Sequence, residues 1–313
     1  MAKRFALTGA AGYIAPRHMV AILDTGNILV AACDPNDSVG ILDRYSFDIS
    51  FFKEFERFDR HLEKLKRKGN PVDYVSICSP NYLHDAHIRF ALRLGADAIC
   101  EKPLVINPWN IDALEEMSEE FGKKIYNILQ LRLHPSIKRL KKKIEEENSK
   151  KKYEIELTYI TSRGKWYLNS WKGNISQSGG LATNIGVHFF DMLLWIFGKS
   201  EGCEVHLSEE QTVAGFLELK KAHVKWFLST DRNSLPERCK EKQLNTFRSI
   251  TVDGEEIEFS GGFTDLHTKV YEDILNGHGF LPEDVRPSIE LVHGIRFYSP
   301  KGRSVYSHPF LKE

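Results

Sequence analysis

Short apolar runs alternate with amphipathic stretches through the amino-terminal part of the chain. The apolar runs that predict buried strands are residues 4–8, 29–33, 75–78, 96–100 and 124–129, with a further short strand marked by Phe51 and Phe52. Helical spacing of apolar residues predicts helices that end near Leu23 or cover 59–68, 82–94 and 111–121. Strands and helices that alternate at this pitch are typical of a parallel sheet covered on both faces. We therefore predict that residues 1–127 form a doubly wound α/β domain.

The pattern changes in the carboxyl-terminal part of the chain. Alternation of apolar and polar residues over 154–160, 213–219 and 224–230 predicts strands, and one long helical segment, 186–197, interrupts them. Such strands predict a large, mostly antiparallel sheet with one open face. We therefore predict that residues 128–313 form a second α/β domain for substrate binding, whose open sheet face joins copies of the chain as a homodimer or homotetramer.

Length and charge limit the classes of function. A chain of 313 residues exceeds the usual size of one hydrophobic core, which favours two domains. The 43 basic and 43 acidic side chains balance, so no net field attracts a nucleic acid. The lysine-rich segment Lys138–Lys152 is interrupted by Glu145, Glu146 and Glu147, which indicates a solvent-exposed helix followed by a turn. We expect no nucleic-acid partner.

Two further patterns bear on compartment and metal binding. The start of the chain runs directly into the first strand, and we expect no apolar stretch to approach the ~18 residues of a membrane-spanning helix. The five cysteines include no C-x-x-C pair, and Cys33, Cys78 and Cys100 each end a predicted strand, which favours core positions. We therefore expect a cytoplasmic protein with no membrane partner and no metal.

A glycine-rich turn follows the first predicted strand. Gly9-x-x-Gly12-x-x-Ala15 opens a helix, and Asp34 lies at the end of the second strand, 22 residues after Gly12. Glycines allow the backbone to approach a pyrophosphate at a helix amino terminus, and an acidic group at this position accepts hydrogen bonds from an adenosine ribose. Asp34 would repel a 2′-phosphate, so the pattern predicts NAD rather than NADP. The alternative is a glycine turn that binds no ligand.

Polar residues follow two neighbouring strands at their carboxyl ends. Ser79-Pro80-Asn81 and His84 follow the strand at 75–78, and Glu101-Lys102-Pro103 follows the strand at 96–100. Open α/β sheets bind ligands at the carboxyl ends of their strands, so we predict that these residues face a ligand crevice. The alternative for Lys102 is a solvated charge at a strand end.

A second group of polar residues lies on the predicted helix of the carboxyl-terminal domain. Asn184, His188 and Asp191 are spaced i, i+4 and i+7, which predicts that one helix face presents all three. Histidine is the side chain best suited to accept a proton near neutral pH. Gly179-Gly180 precedes the group and allows a ligand to approach closely. The alternatives are a metal site made by the histidine and aspartate, and a histidine buried in the core.

Four motifs together resemble the Gfo/Idh/MocA oxidoreductase family. They are Pro80-Asn81-x-x-His84, Ala91-Leu92-x-x-Gly95, Glu101-Lys102-Pro103, and Gly179-Gly180 followed by Gly186-x-His188-x-x-Asp191. The resemblance covers essentially the whole chain. It implies an amino-terminal Rossmann domain, a carboxyl-terminal α/β domain that builds dimers and tetramers, and hydride transfer from a sugar carbon to NAD.

The resemblance also implies roles for single residues. Lys102 and His188 match the family's catalytic lysine and histidine. The residues implied to bind the cofactor are Gly9, Gly12, Tyr13, Ile14, Asp34, Ser79, Pro80, Asn81, His84, Glu101 and Lys102. Many family members have an aspartate where this chain has Asn184, so a lysine-aspartate-histidine proton relay is not expected. The glycine loop also departs from the commonest G-x-G-x-x-G spacing.

Further segments are similar, more narrowly, to the WlbA/WbpB-type UDP-N-acetylglucosaminuronate 3-dehydrogenases of that family. These segments are Ser162–Tyr167, Ser170–Gly173, Ser178–Asp191, Gly262–His267 and Arg286–Glu290. The similarity implies that the 3-hydroxyl of a UDP-linked N-acetylated hexuronic acid is oxidised to a 3-keto nucleotide sugar. An aminotransferase can accept such a ketone, which implies a place in the synthesis of surface polysaccharide (O-antigen) precursors.

The predicted substrate contacts lie between residues 163 and 188. Arg163 is the first candidate for the sugar carboxylate because its planar guanidinium matches that group, and Lys172 is the second. Both have the alternative of being surface charges, and Tyr167 is either a hydrogen-bond partner or a buried tyrosine of a strand hairpin. The full predicted set is Arg163, Tyr167, Lys172, Ser178, Asn184 and His188.

Two other functions remain open from the sequence. One is a dehydrogenase of another sugar or polyol in the same family. The other is a non-catalytic NAD-dependent sensor on the same fold, and the presence of both Lys102 and His188 argues against it.

Overall fold

The alternating pattern of the chain is realised as two sheets with their flanking helices. The structure is a computed structural model that describes residues 1–147, 151–257 and 265–311. The strands are β1 (Arg4–Thr8), β2 (Ile28–Cys33), β3 (Ser50–Phe52), β4 (Tyr74–Ile77), β5 (Asp97–Cys100), β6 (Ile125–Asn127), β7 (Tyr153–Thr161), β8 (Ser200–Ser208), β9 (Thr212–Leu219), β10 (Ala222–Ser229), β11 (Thr246–Val252) and β12 (Glu255–Glu256). The helices are α1 (Ala15–Asp24), α2 (Phe55–Arg67), α3 (His84–Leu94), α4 (Trp109–Phe121), α5 (Pro135–Glu146), α6 (Lys165–Leu168), α7 (Ile175–Ser178), α8 (Val187–Phe197), α9 (Glu237–Glu241), α10 (Leu266–Leu275) and α11 (Pro282–Phe297).

The first unit comprises residues 1–130 together with 264–286 and is built on a parallel sheet. The strand order is β3-β2-β1-β4-β5-β6, with α1 to α4 in the connections. The order reverses between β1 and β4, and sheets of this kind bind ligands at that point, outside the carboxyl ends of the strands. Gly95 ends α3 in the left-handed region, at φ 85°. The predicted doubly wound Rossmann sheet is therefore confirmed.

Helix α10 belongs to this first unit. The Tyr271 ring stacks on Phe5, with 5.8 Å between the ring centroids, and the Tyr271 hydroxyl lies 2.7 Å from Ser76 Oγ in β4. The sequence prediction instead assigned every residue after 127 to the second domain. It missed α10 because the local pattern of a helix does not show which sheet it packs against.

The second unit comprises residues 131–263 together with 287–313 and contains the other sheet. Its strand order is β12-β11-β7-β10-β9-β8; β7 and β10 are parallel and the other pairs are antiparallel. Helix α8 packs on one face, where Phe190 meets Trp226 edge to face at 5.3 Å between centroids. The predicted mostly antiparallel α/β sheet is confirmed.

The opposite face of this sheet carries the carboxyl-terminal segment 304–311. His308 Nε2 lies 3.0 Å from Thr158 Oγ1, and Phe310 stacks on Phe247. Leu311 lies in a buried cluster with Phe227 and Leu235. The prediction of an open face is therefore wrong at its apolar end, because the chain's own carboxyl-terminal segment buries the aromatic side chains there. Polar residues such as Glu154 and Glu156 stay exposed further along β7.

One prediction about apolar stretches is also corrected. The helical stretch Ile175–Phe197 contains an 18-residue window with a mean hydropathy of 1.3, and it is long and apolar enough to span a membrane by composition alone. In the structure 67% of that window is buried, because its apolar side chains pack inside the second unit. Gly186 shows how close this packing is, since a Cβ there would lie 2.6 Å from Leu228 Cδ1. The stretch therefore belongs to the core of the unit, and α8 is its longest helix.

Candidate active site

The glycine turn after β1 needs glycine at its first position. Gly9 has φ 81°, and a Cβ there would lie 2.5 Å from the carbonyl carbon and oxygen of Cys78 at the end of β4. The turn leads into α1, which begins at Ala15 with a proline in its first turn. Tyr13 is 89% exposed beside it. The backbone therefore runs close over the strand ends and directs the amino terminus of α1 at the switch point, an arrangement that fits a pyrophosphate.

Asp34 lies at the end of β2, as predicted, and is buried. Its Oδ2 accepts a hydrogen bond from Ala11 N at 3.0 Å, and its Oδ1 accepts bonds from Asn36 N and Nδ2 at 2.8 and 3.0 Å. The carboxylate thus holds the glycine turn against the loop after β2. Oδ2, which accepts one hydrogen bond, keeps a lone pair for a ribose hydroxyl. The ribose contact stays a prediction, and sequence reasoning missed the contact with the turn.

His84 lies below the strand ends and is fully buried. Its Nδ1 lies 2.7 Å from the carbonyl oxygen of Pro103, and its Nε2 lies 2.9 Å from the carbonyl oxygen of Ser79. Burial lowers the pKa of His84, and a neutral imidazole donates from one nitrogen only. The ring therefore lies between the loops after β4 and β5 and donates to one of their two carbonyl oxygens. This geometry does not support the predicted direct contact of its side chain with the cofactor.

The polar residues after β4 are buried around the same loop. Ser79 Oγ lies 2.9 Å from His87 Nδ1, and Pro80 leads into a 3-10 turn, Asn81–Leu83. Helix α3 then begins at His84, two residues later than the predicted Tyr82. The structure thus brings Ser79, Pro80 and Asn81 to the carboxyl end of β4, where the cofactor prediction requires them.

Glu101 at the end of β5 turns its carboxylate into the unit. Its Oε1 lies 2.9 Å from His18 Nε2 and 3.0 Å from His267 Nε2, and all three side chains are buried. Within the described residues, these are the side chains grouped closely enough to suggest a metal, with all ligand atoms within 4.8 Å. The distances are those of hydrogen bonds, so a hydrogen-bonded cluster accounts for them. Because the carboxylate faces the histidines, its geometry does not support the predicted cofactor contact.

Lys102 follows directly and is partly buried at the strand end. Its backbone nitrogen lies 3.2 Å from Glu101 Oε2, and the Lys102–Pro103 peptide is cis. Asn127 Nδ2 donates to the carbonyl oxygens of Cys100 and Glu101, at 2.9 and 3.1 Å. Burial lowers the pKa of Lys102, whereas the nearby Glu101 charge raises it. The charge of the Lys102 amine at this strand end therefore depends on the charge of Glu101.

In the second unit, the predicted helix face is only partly formed. Asn184 lies in a π-helical turn, Ala182–Gly186, and its Nδ2 donates a 2.7 Å hydrogen bond to the Tyr167 hydroxyl. His188 follows in the first turn of α8 and is partly exposed. Single π-helical turns are frequent at functional sites. The structure therefore brings Asn184 and Tyr167 together; Tyr167 lies in the short helix α6 and not in a hairpin.

Asp191 has a different partner, which sequence reasoning missed. Arg132 Nε and Nη2 donate to its two carboxylate oxygens at 2.9 and 2.8 Å, and both side chains are buried. A bidentate pair of this kind fixes orientation and offsets the charge of the carboxylate. Asp191 thus anchors α8 and does not share a ligand-facing surface with Asn184. No local sequence pattern around Arg132 predicts this ion pair, because its partner is 59 residues away.

The other predicted substrate residues are spread over neighbouring loops of the second unit. Arg163 is exposed, and Lys172 lies with its Nζ 4.3 Å from the centroid of the Trp171 ring. Ser178 is fully buried, and its Oγ donates to Asn174 O and accepts from Gly180 N, at 2.9 and 3.1 Å. The Ser178 hydroxyl therefore shapes the glycine turn, which does not support its predicted contact with substrate.

A cavity of about 380 Å³ opens in this unit. It is lined by Tyr167, Leu168, Lys172, Gly173, Ile175, Gly179, Gly180, Leu181, Ala182, Ser208, Glu209, Glu210, Val213, Ile295 and Arg296. The volume is within the range of small-molecule sites. Of the predicted substrate residues, Tyr167 and Lys172 face it. Burial raises the pKa of Tyr167, so its hydroxyl stays protonated near neutral pH and can donate as well as accept.

Comparisons with known proteins point to oxidoreductases. Residues 3–128 match the family model described as an oxidoreductase family with an NAD-binding Rossmann fold, and residues 141–231 match its model for a C-terminal alpha/beta domain. The chain is 48% identical to the WlbA (WbpB) dehydrogenase from Thermus thermophilus solved with NAD and UDP-GlcNAcA, with a TM-score of 0.95 over 99% of this chain and 100% of that chain. A structure of the same dehydrogenase with NAD and alpha-ketoglutarate is similar to the same degree, at 49% identity and a TM-score of 0.95.

Curated relatives are more distant. The chain is 26% identical over 129 residues to D-glucoside 3-dehydrogenase of Escherichia coli (strain K12), a match that covers 40% of this chain and 36% of that protein. It is 25% identical over 202 residues to inositol 2-dehydrogenase of Rhizobium meliloti (strain 1021), over 64% of this chain and 56% of that protein. The matches thus span from about a third to just over half of the length of these curated relatives.

Proposed function

Because this chain belongs to the Gfo/Idh/MocA oxidoreductase family, we propose that it is an NAD-dependent dehydrogenase of a UDP-linked N-acetylated hexuronic acid. The observation that carries the proposal is the 48% identity, over 99% of this chain and 100% of the other, with a dehydrogenase solved with NAD and UDP-GlcNAcA. The reaction would convert the 3-hydroxyl of the sugar to a ketone. That product suits an aminotransferase that makes precursors of surface polysaccharide.

The first unit supplies the cofactor site, and its residues fit a dinucleotide. We assign the pyrophosphate to the turn that holds Gly9, Gly12, Tyr13 and Ile14. Because Gly9 has no Cβ, the backbone of this turn lies close to Cys78 at the strand ends, which is where sheets of this kind bind a dinucleotide. Asp34 takes the adenosine ribose, while Ser79, Pro80 and Asn81 border the cofactor at the end of β4. NAD, when bound, accepts the hydride that leaves the substrate carbon.

Lys102 and His188 carry the proton chemistry in this proposal. Oxidation of the alcohol releases one hydride and one proton. His188 accepts the proton of the hydroxyl, since an imidazole titrates near neutral pH. The Lys102 ammonium donates a hydrogen bond to the same oxygen and stabilises its developing negative charge. Asn184 has no proton to exchange and orients through its amide.

The substrate is recognised by the second unit. Arg163 is exposed, and a guanidinium suits the uronic carboxylate; Lys172 is the second candidate. Tyr167 lies in the cavity wall next to Lys172 and can hydrogen-bond to sugar hydroxyls. A cavity of about 380 Å³ is large enough for a substantial part of a nucleotide sugar.

A similar dehydrogenase was solved with NAD and alpha-ketoglutarate, which supports a proposal about a second reaction at the same site. We propose that alpha-ketoglutarate reoxidises the reduced cofactor in place. Its 2-oxo carbon would receive the hydride, and its oxygen would receive the proton held by His188, to give 2-hydroxyglutarate. The two half-reactions balance, so NAD would turn over without leaving the protein.

We also propose that the protein acts in the cytoplasm as a homodimer or homotetramer. The exposed polar part of the second sheet, around Glu154 and Glu156, is the available surface for such contacts, since the apolar end carries segment 304–311. Light scattering after size-exclusion chromatography measures the oligomeric state. A monomer at micromolar concentration would contradict this part of the proposal.

The decisive experiment supplies purified protein with UDP-GlcNAcA, NAD and alpha-ketoglutarate and follows 2-hydroxyglutarate and the 3-keto sugar by mass spectrometry. Formation of both supports the proposal. Parallel reactions contain myo-inositol or a glucoside in place of the nucleotide sugar, because curated relatives act on such compounds. Preference for either would identify another sugar dehydrogenase, and cofactor binding without any turnover would indicate a sensor.

A further inference from the structure

A buried hydrogen-bonded cluster lies directly behind Lys102. It joins Glu101 at the end of β5 to His18 in α1 and to His267 in α10. The two histidines are 83 and 166 residues from Glu101 in the sequence, yet both place Nε2 within 3.0 Å of the same carboxylate oxygen. The cluster therefore ties the helix that follows the glycine turn to the strand end that carries Lys102.

The cluster continues to Tyr271 and Ser76, and these two residues bear on which atoms of the cluster donate hydrogen bonds. The Tyr271 hydroxyl lies 2.7 Å from His18 Nδ1 and 2.7 Å from Ser76 Oγ. One consistent arrangement has Ser76 donating to Tyr271, Tyr271 donating to His18 Nδ1, and His18 Nε2–H donating to Glu101. In this arrangement a neutral His18 presents its proton to the carboxylate. Because an ionised carboxylate only accepts, this arrangement places the proton on Nε2 and leaves Nδ1 to accept from Tyr271.

Glu101 carries a negative charge in this setting. Burial alone would raise its pKa, but the hydrogen bonds from His18 and His267 outweigh burial and hold the pKa well below its usual range. Burial lowers the pKa of His18, which keeps that ring neutral. The second carboxylate oxygen, Oε2, accepts from the backbone nitrogen of Lys102 at 3.2 Å. A full charge is thus fixed one residue before the proposed catalytic lysine.

Few other groups near Glu101 can change charge at neutral pH. Burial raises the pKa of Cys78 and Cys100 well above the ordinary value for a thiol, so both stay neutral. Burial likewise raises the pKa of Tyr271 and lowers that of His84. The groups that face Glu101 from the elements around it are His18 (α1), Cys78 (after β4), His84 (α3), Cys100 (β5), Lys102, and His267 and Tyr271 (α10).

We propose that Glu101 is a positioning residue for Lys102, and that His18 and His267 hold its carboxylate in place so that the lysine stays an ammonium ion at a fixed strand end. This inference rests on the proposed function, in which Lys102 acts as a cation on the substrate hydroxyl. The fixed carboxylate offsets the desolvation of the lysine, which would otherwise favour its neutral form. The role of the two histidines is to keep that carboxylate ionised and turned inward.

The test separates charge from packing with two variants. Glu101→Gln removes the charge and keeps the size of the side chain, whereas Glu101→Asp keeps the charge and shortens its reach. Lysines labelled with ¹³C at Cε report the ionisation of Lys102, whose resonance is the one lost in Lys102→Met. We expect the Lys102 titration to move to lower pH in Glu101→Gln and to stay nearer the unmutated value in Glu101→Asp. Asp85→Asn, which removes a carboxylate paired with Arg89 on α3, is the control and should leave the titration in place.

Turnover gives the second measurement. The alkaline limb of the pH profile of kcat should move to lower pH in Glu101→Gln, together with a loss of roughly tenfold or more at its best pH. Equal Lys102 titrations in Glu101→Gln and the unmutated protein would overturn the inference, whatever the activity. Absence of turnover in the unmutated protein would instead count against the proposed function, while the titration would still decide the role of Glu101.

A pair of variants at His267 covers the case in which Glu101→Gln does not fold. His267→Gln keeps an N–H donor near the Nε2 position, and His267→Leu removes it. We expect Lys102 to titrate at lower pH in His267→Leu than in His267→Gln. Equal titrations in this pair would also contradict the inference, because they would show that the donor to Glu101 has no bearing on the lysine.

Discussion

Asn184 Nδ2 donates a 2.7 Å hydrogen bond to the Tyr167 hydroxyl, and both side chains are buried. The bond joins the π-helical turn before α8 to the short helix α6 in the cavity wall. The bond therefore connects the turn that precedes His188 to Tyr167, a predicted substrate contact.

Loss of this bond should destabilise the protein. Tyr167→Phe removes the acceptor, and we expect the free energy of unfolding in urea to fall by about 1–3 kcal/mol, with a raised KM for the nucleotide sugar. Tyr306→Phe is the matched control, since Tyr306 is 50% exposed, and it should change stability little. An unchanged free energy in Tyr167→Phe would show that the bond does not hold in solution.

The proposed catalytic pair makes a kinetic prediction. Lys102→Met and His188→Ala should each leave NAD affinity nearly unchanged and lower kcat by a factor on the order of a hundred or more, because both act on the proton transfer. The double variant should lose less than the product of the two factors. Titration calorimetry measures NAD binding and steady-state assays measure kcat. Turnover like that of the unmutated protein in either single variant would remove that residue from the mechanism.

The carboxylate assignment predicts a difference between two substrates. Arg163→Ala should raise KM for the uronic acid nucleotide by roughly ten- to a hundredfold, the value of a charged hydrogen bond, and change KM for UDP-N-acetylglucosamine much less. Lys165→Ala, which removes a neighbouring exposed cation, is the control. Equal effects of Arg163→Ala on both substrates would mean that Arg163 reads another group or supports the fold.

Cofactor choice is predicted to depend on Asp34. Asp34→Ala with Pro35→Arg should weaken NAD binding and strengthen NADP binding, because the carboxylate that accepts from the ribose is replaced and a cation for the 2′-phosphate is added. The carboxylate also holds Ala11 and Asn36, so Asp34→Asn serves to separate loss of charge from loss of the loop contact. Calorimetry that finds a preference for NADP in the unmutated protein would contradict the assignment.

Buried histidines predict how stability changes with pH. Burial lowers the pKa of His308 to about 4 from its ordinary 6.5, so between these values the unfolded chain binds a proton that the folded protein does not. Stability should therefore fall as the pH decreases from about 6.5 to about 4, by up to about 1.4 kcal/mol per pH unit for this group. His308→Gln should show a shallower decrease in urea unfolding, while His87, with a pKa of about 4, continues to contribute. Parallel curves for the two proteins would show that His308 is not buried and neutral.

Local patterns were sufficient for much of the first sheet. The alternation of strands and helices, the glycine turn, Asp34 and the polar strand ends all depend on short-range rules, namely apolar periodicity, glycine conformation and the position of ligands in parallel sheets. These features were therefore predictable from neighbouring residues. The ends of helices were less so, as the later start of α3 shows.

Pairings between distant residues were not predictable. Glu101 and His84 were expected to face the cofactor, but their partners lie on other elements, and no local rule shows that a carboxylate will meet His267, 166 residues away. The same holds for Arg132 with Asp191, 59 residues apart, and for segment 304–311 over the second sheet. In each case burial of polar or aromatic groups selected a partner that only the folded chain brings near.

The position of α10 in the first unit also affects the order in which the chain folds. Contact between Glu101 and His267 requires a long loop to close, and contacts of such high sequence separation slow folding. A nascent chain that has not yet reached α10 would contain every strand of the first sheet but would lack one donor for a buried charge. The first unit therefore reaches its final state only after most of the chain has been synthesised. Completion of its sheet and helices thus has to wait for the synthesis of residues 131–263, which separate α10 from the rest of the unit in the sequence.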